Sequence, residues 1–230
     1  MMKKIWVLLV VHLCYLQLVF ADNSIQPALS TIASGEGTKA SRKFTLIAQL
    51  SLFMPFRFTL DNGNLSVAYA ESFKGFPFFQ LIAGEQVALL GNVELQAQLS
   101  LGYAHKSGPV ILTDSQGAQQ EAFVNLHWIP ASLSARFAYR ISSMHFLKPS
   151  ITTGLGLQWL YQSAHSQAVN HHFWVPFAFV RPAITFFDPL EEVTGDWFGG
   201  LILGVSYLTD LGASQVIRGF SYEVGLAIIL

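Results

Sequence analysis

Six charged side chains punctuate stretches that are otherwise almost free of charge: Arg57, Glu94, Arg136, Arg140, Arg181 and Glu223. Each falls on the polar parity of a two-residue alternation, so each is expected on the inner face of a strand. The chemistry open to such a set is ion pairing in a space too narrow for bulk water, where an unpaired charge is far costlier than a paired one. Glu94 and Arg140 are expected at similar depth on neighbouring antiparallel strands. Other reactive types are less well placed. His171 and His172 are adjacent, so on a strand they point to opposite faces and make a poor metal chelate. His105, His145 and His165 fall in expected loops. A nucleophile needs serine, histidine and an acid converging in space. His165-Ser166 has no acid at useful spacing, and His127, Ser134 and Glu121 converge only if their strand bends sharply. No catalytic residue, metal ligand or cofactor motif is assigned.

The elements that carry these residues follow from periodicity. From Gly91 to Tyr103, Val93, Leu95, Ala97, Leu99, Leu101 and Tyr103 alternate with Asn92, Glu94, Gln96, Gln98, Ser100 and Gly102. A helix would scatter those polar residues around its surface, whereas a strand gathers them on one side. Similar stretches run from Leu133 to Ser142, Ser150 to Gln162, Trp197 to Tyr207 and Phe220 to Leu230. Eight strands are expected, over 43–60, 65–82, 86–103, 120–142, 150–162, 172–187, 197–208 and 217–230. Asn62-Gly63 is a hairpin signal, and another turn is expected near Ala83-Gly84. Within 120–142 the apolar parity switches at Pro130, from Ala122, Val124, Leu126 and Trp128 to Leu133 onward. A β-bulge there accounts for the switch, and a tight turn giving nine strands is the alternative.

Composition says what surrounds those strands. Hydrophobic residues make up 52% of the 230-residue chain and charged residues only 12%, about half the charge of ordinary soluble domains. Yet beyond the N-terminus no apolar run approaches the roughly 20 residues of a spanning helix. Lipid-facing chains without such helices close their strands into barrels, which leave no backbone group unpaired. Several strands reach the roughly 9–11 residues of a tilted membrane strand. The fold class expected is therefore all-β, an antiparallel up-and-down transmembrane barrel of about eight strands. A soluble β-sandwich is the competing architecture. Phe44, Phe53, Phe56, Trp128, Trp159, Tyr161, Trp174, Trp197, Tyr207, Phe220 and Tyr222 are expected to form interfacial girdles. The strand over 172–187 is apolar on both faces, suiting either a ring-packed interior or a partner.

Residues 1–21 have the form of a cleavable signal: Lys3 and Lys4, an apolar run from Ile5 to Phe20, then Val19-Phe20-Ala21. Residues 22–42 are expected to be a flexible periplasmic tail, and 43–230 the barrel. Cleavage after Ala21 removes Cys14, the one cysteine, and leaves 11 basic against 14 acidic residues, a formal charge of −3. That balance gives no case for nucleic-acid binding.

The last residues, Glu223-Val224-Gly225-Leu226-Ala227-Ile228-Ile229-Leu230, resemble the C-terminal signal read by the bacterial barrel-assembly machinery. The polar, glycine and two hydrophobic roles fall on Glu223, Gly225, Ile228 and Leu230, with Leu230 where an aromatic residue is usual. Over 43–230 the chain resembles the small outer-membrane barrels of the outer-membrane protein A and protein W type. That resemblance implies a bacterial outer-membrane location, contact with outer-membrane lipid, delivery by the assembly machinery, and loops facing outward. A non-enzymatic structural, surface-interaction or narrow-pore role is expected. Some barrels of this size modify lipid A, which makes a deacylase or acyltransferase the alternative.

Overall fold

The computed structural model describes residues 44–141, 143–144, 147–164, 169–186, 200–212 and 215–229. Long alternating segments pair with their sequence neighbours. In chain order the elements are β1 (Phe44–Asp61), β2 (Leu65–Ala68), α1 (Tyr69–Ser72), β3 (Phe76–Leu90), β4 (Val93–Asp114), β5 (Gln119–Tyr139), β6 (Leu147–Ala164), β7 (Val169–Phe186), β8 (Gly200–Asp210) and β9 (Val216–Ile229). All pairings are antiparallel, and β1 pairs with β9 from Thr45–Ile229 to Thr59–Val216, closing the sheet. Because β2 and β3 occupy one stave, the structure is a closed barrel of eight staves. Closure excludes the sandwich. Among the described residues no helix is long and apolar enough to cross a membrane.

The wall departs from expectation in four places. The second stave is interrupted: β2 pairs with the outer parts of β1 and β4, α1 turns inward, and β3 resumes at Phe76. Tyr69 and Phe73 swing into the interior at this break. Next, β3 runs straight through Ala83-Gly84, and the turn lies at Gly91-Asn92, where Gly91 has φ +60°. Gly84 serves another purpose, since a Cβ there would meet Thr45 Oγ1 at 2.9 Å. Third, β4 extends to Asp114, so the expected loop over 105–119 shrinks to a turn anchored by Asp114, whose carboxylate accepts the Gln116 and Ala118 amides.

The fourth departure concerns Pro130. There is no bulge and no turn: β5 keeps one register with β4 and with β6 on both sides of it. Even-numbered residues face inward throughout, from Ala122, Val124, Leu126 and Trp128 to Ser132, Arg136 and Ala138. What changes at Pro130 is the chemistry of the interior. A register shift falls in β3 between Gln86 and Ala88, and a bulge lies in β1 between Pro55 and Arg57. It shifts the inward parity from Phe53 to Phe58 and leaves Phe56 and Arg57 both outside. Arg57 is therefore exposed, and its expected inward position is corrected.

Two aromatics expected in the girdle are also inside. Phe53 and Trp128 are each 1% exposed and pack edge-to-face at 4.9 Å. Phe56, Trp174, Phe220 and Tyr222 do face outward. Trp197, His145, His165-Ser166, Leu230 and the whole of 1–43 lie outside the described residues.

Glycines opposite phenylalanines let rings lie across the interior. Gly154 and Gly156 on β6 stand opposite Phe179 and Phe177 on β7. A Cβ on Gly156 would fall 2.5 Å from the Phe177 ring and closer still to the Ala131 carbonyl. Gly156→Ala should therefore destabilise the barrel by about 1–3 kcal/mol, as overpacking does. A lower temperature for loss of the compact band on a detergent gel would register it, and an unchanged temperature would mean that Phe177 has room to move.

Candidate functional site

The interior is built in two layers. At the end where β1 begins and β9 finishes, inward positions of β3–β9 and β1 carry amides, hydroxyls and charges. Glu94, fully buried, is the centre of one cluster: Lys148 Nζ donates to its Oε2 at 2.8 Å, Gln96 Nε2 donates to its Oε1 at 2.5 Å, and Arg140 Nη2 stands 3.5 Å away. Arg136 donates to Gln96 at 3.3 Å and, across the interior, to Thr185 Oγ1 at 2.7 Å. A second cluster joins Arg181 Nε to Glu223 Oε2 as an ion pair at 2.7 Å. Ser206 donates to the other Glu223 oxygen at 2.6 Å, and Arg181 Nη2 reaches Gln80 at 3.2 Å. From Gln80 the chain continues through Ser100 to Ser132. Polar groups taken out of water are costly unless bonded, and this network bonds them to one another across the lumen.

Five of the six charged residues singled out from sequence thus lie in or beside this layer, and Arg57 does not. Arg140 is the most solvent-exposed of the five, with 28% of its side chain accessible. Lys148 was missed. It sits on the second residue of β6, in a stretch read from sequence as a turn, and it is 2% exposed. A lysine directly before Pro149 gave no signal of burial.

Toward the other end the interior is apolar. Phe53, Phe58, Phe76, Phe78 and Trp128 pack with ring centroids 4.9–6.5 Å apart. Tyr69 and Phe73 from the α1 segment join them, as do Leu112, Val124, Leu126, Leu160 and Phe177. The aromatic strand apolar on both faces, β7, contributes Phe173, Phe177 and Phe179 to this core. Above it the mouth is laced by Asn62 to His171 at 2.7 Å and by the Asp61 amide donating to Gln215 at 2.8 Å.

Outside, aliphatic residues such as Leu99, Leu101, Leu133 and Leu157 cover the middle of the barrel. Their upper border is aromatic. On β4–β7, His105, His127, Tyr161 and His172 occupy one cross-strand row, with neighbouring rings 4.6–5.8 Å apart. On β1, β8 and β9 the corresponding group is Phe56, Tyr207 and Phe220, at 5.4–6.2 Å. Such rings mark the level at which a bilayer passes from acyl chain to headgroup. His127 takes Tyr103 as hydrogen-bond partner at 3.0 Å. Ser134 projects from the opposite face of the same strand, and Glu121 lies six residues beyond His127 at the rim, so the three do not converge. Among the described residues no three histidine, cysteine or acidic side chains gather to hold a metal.

Closed antiparallel staves, a filled interior and an apolar outer belt define an eight-stranded up-and-down β-barrel of the small outer-membrane type. No family model matches the chain, and no curated protein matches it significantly in sequence. Solved structures do match in shape. The outer membrane protein OprG from Pseudomonas aeruginosa aligns with TM-score 0.52 at 9% identity, covering 82% of this chain and 96% of that one. Neisserial surface protein A aligns with TM-score 0.50 at 13% identity, covering 80% and 96%. At such identities the likeness is one of fold.

Proposed function

We propose that this protein resides in the bacterial outer membrane as a sealed, non-enzymatic barrel that works through its outer surface and rim. The observation that carries this reading is the interior, blocked by a bonded polar layer at one end and by aromatic packing at the other. Eight staves leave a lumen that side chains fill. The outward belt of leucines and its aromatic border suit lipid on every side. With an even number of staves, β1 begins and β9 ends on one side of the barrel; with that side in the periplasm, the turns at 62–64 and 115–118 face outside the cell. Glu223, Gly225 and Ile228 are offered to the assembly machinery before the barrel closes, after which Glu223 serves the interior ion pair.

Purified protein should shift in mobility when boiled in detergent, and the folded form should give no discrete conductance steps in planar bilayers. Reproducible unitary openings from the unboiled band would overturn the sealed reading. Lipid A from cells expressing the protein should keep its acylation pattern. A change abolished by His127→Ala would instead establish the lipid-modifying alternative.

A further inference from the structure

We propose that Arg57 and Arg218 form a docking site for the anionic, phosphate-bearing headgroup of an outer-leaflet lipid whose acyl chain lies in the groove directly below them. The inference rests on outer-membrane residence. Two lines of observation on adjoining staves support it.

The bulge after Pro55 re-aims Arg57 outward, directly opposite Arg218 on β9. Bulges commonly redirect a side chain at a functional position. Two like charges facing each other across a strand pair are destabilising unless something of opposite sign lies between them. Asp210 answers part of this charge, holding Arg218 Nε at 3.2 Å. Arg57 has no ion pair or hydrogen bond among the described residues. Glu71 and Lys74 on the α1 segment beside β1 are both exposed and offset each other in charge, and Asp61 turns its carboxylate to the Gly63 amide.

Depth is the second line. The two guanidinium groups stand immediately beyond the Phe56–Tyr207–Phe220 rings, where headgroups begin. Below the rings lies an open apolar groove of about 820 Å³, lined on β1, β8 and β9 by Leu50, Leu52, Leu203, Val205, Tyr222 and Val224 and continuing to Pro77 on β3, Pro149 on β6 and Ile184 on β7. Head site, aromatic step and groove therefore run in register down β1 and β9. Planar guanidinium groups make bidentate contacts with carboxylate and phosphate alike, but a phosphate monoester, with three terminal oxygens and a second ionisation, can serve two such groups at once where a carboxylate has two oxygens and one charge.

The test uses the folded protein in phosphatidylcholine nanodiscs, with spin-labelled phosphatidic acid, spin-labelled phosphatidylcholine or a spin-labelled fatty acid as probe. Phosphatidic acid should associate roughly ten-fold more tightly than phosphatidylcholine, as gain of one or two charge-assisted hydrogen bonds implies. Arg57→Gln with Arg218→Gln should remove that preference while the boiling shift persists, and Val224→Trp should weaken binding by filling the groove with both charges in place. Equal retention of the three probes by the native protein would overturn the proposal. So would a fatty acid held as tightly as phosphatidic acid, or complete displacement by inorganic phosphate, which would make the site one for free anions. Cell fractionation tests residence separately, so a barrel found elsewhere yet selective in nanodiscs would sink the location and spare the site.

Discussion

Trp128→Ala should lower the unfolding free energy of the barrel by about 3–5 kcal/mol, the usual range for deleting a large buried aromatic. Trp128 is 1% exposed and touches Phe53, Phe58, Phe76 and Phe78, rings supplied by two other strands. Removing it leaves a hole that strands tied by continuous ladders have little freedom to collapse. Leu133→Ala on the same strand provides the comparison. Leu133 is 69% exposed on the outer face, where lipid takes the vacated space, so its cost should stay near about 1 kcal/mol, well below that of core truncation. Urea titration of both variants in vesicles, read by protection from protease, separates the two positions. Equal losses would mean that the outer half of the lumen is loosely packed. Discrete conductance in the Trp128 variant alone would identify this layer as the seal.

Glu94→Gln should be comparably severe, about 3–5 kcal/mol, because breaking a buried pair strands the remaining charge. Here the group that loses this counter-charge is Lys148, with its side chain 2% exposed and its ammonium 2.8 Å from Glu94. Arg136 and Arg140 lie close by and sharpen the imbalance. The sign of the effect is tested by a cycle: Glu94→Gln combined with Lys148→Met should recover much of the loss, since replacing both partners removes the uncompensated charge. If the double variant is less stable than Glu94→Gln alone, Lys148 contributes through packing or other contacts, and ion pairing to Glu94 is not its main role.

Strand identity was legible wherever one face is polar and the other apolar along the whole segment. The lower half of β4 is the clearest case, with Glu94, Gln96, Gln98 and Ser100 inside and Leu95, Leu99 and Leu101 outside. Alternation reports that two faces differ but not which one is interior. In the outer half of the barrel the relation reverses, with apolar residues inside and His127 and Asn125 outside. Along β5 that reversal looks the same in sequence as a one-residue bulge. The true bulge in β1 was hidden because Phe56-Arg57 follows an apolar run without a parity break. Lys148 was illegible for a different reason: its burial depends on Glu94, 54 positions away, and nothing local to β6 announces the partner. The α1 break was half visible, since Glu71, Lys74, Gly75 and Pro77 interrupt the strand pattern, but its inward turn depends on space left by distant strands. Gly108 is part of that space, for a Cβ there would meet the Phe73 ring at 2.9 Å.

The seam between β1 and β9 sets the order in which this chain can mature. It joins the first and last strands, so each of its pairs spans nearly the full length of the barrel, and the entropy of closing so long a loop precedes any reward from the contacts. Until Val216–Ile229 has paired with β1, both edges of the sheet are open to any other strand. A chain shortened by this one strand loses more than one stave's worth of hydrogen bonds. It stays an open sheet with two adhesive borders, prey to proteases and to other unfinished copies, which makes pairing of this last strand the checkpoint for folding.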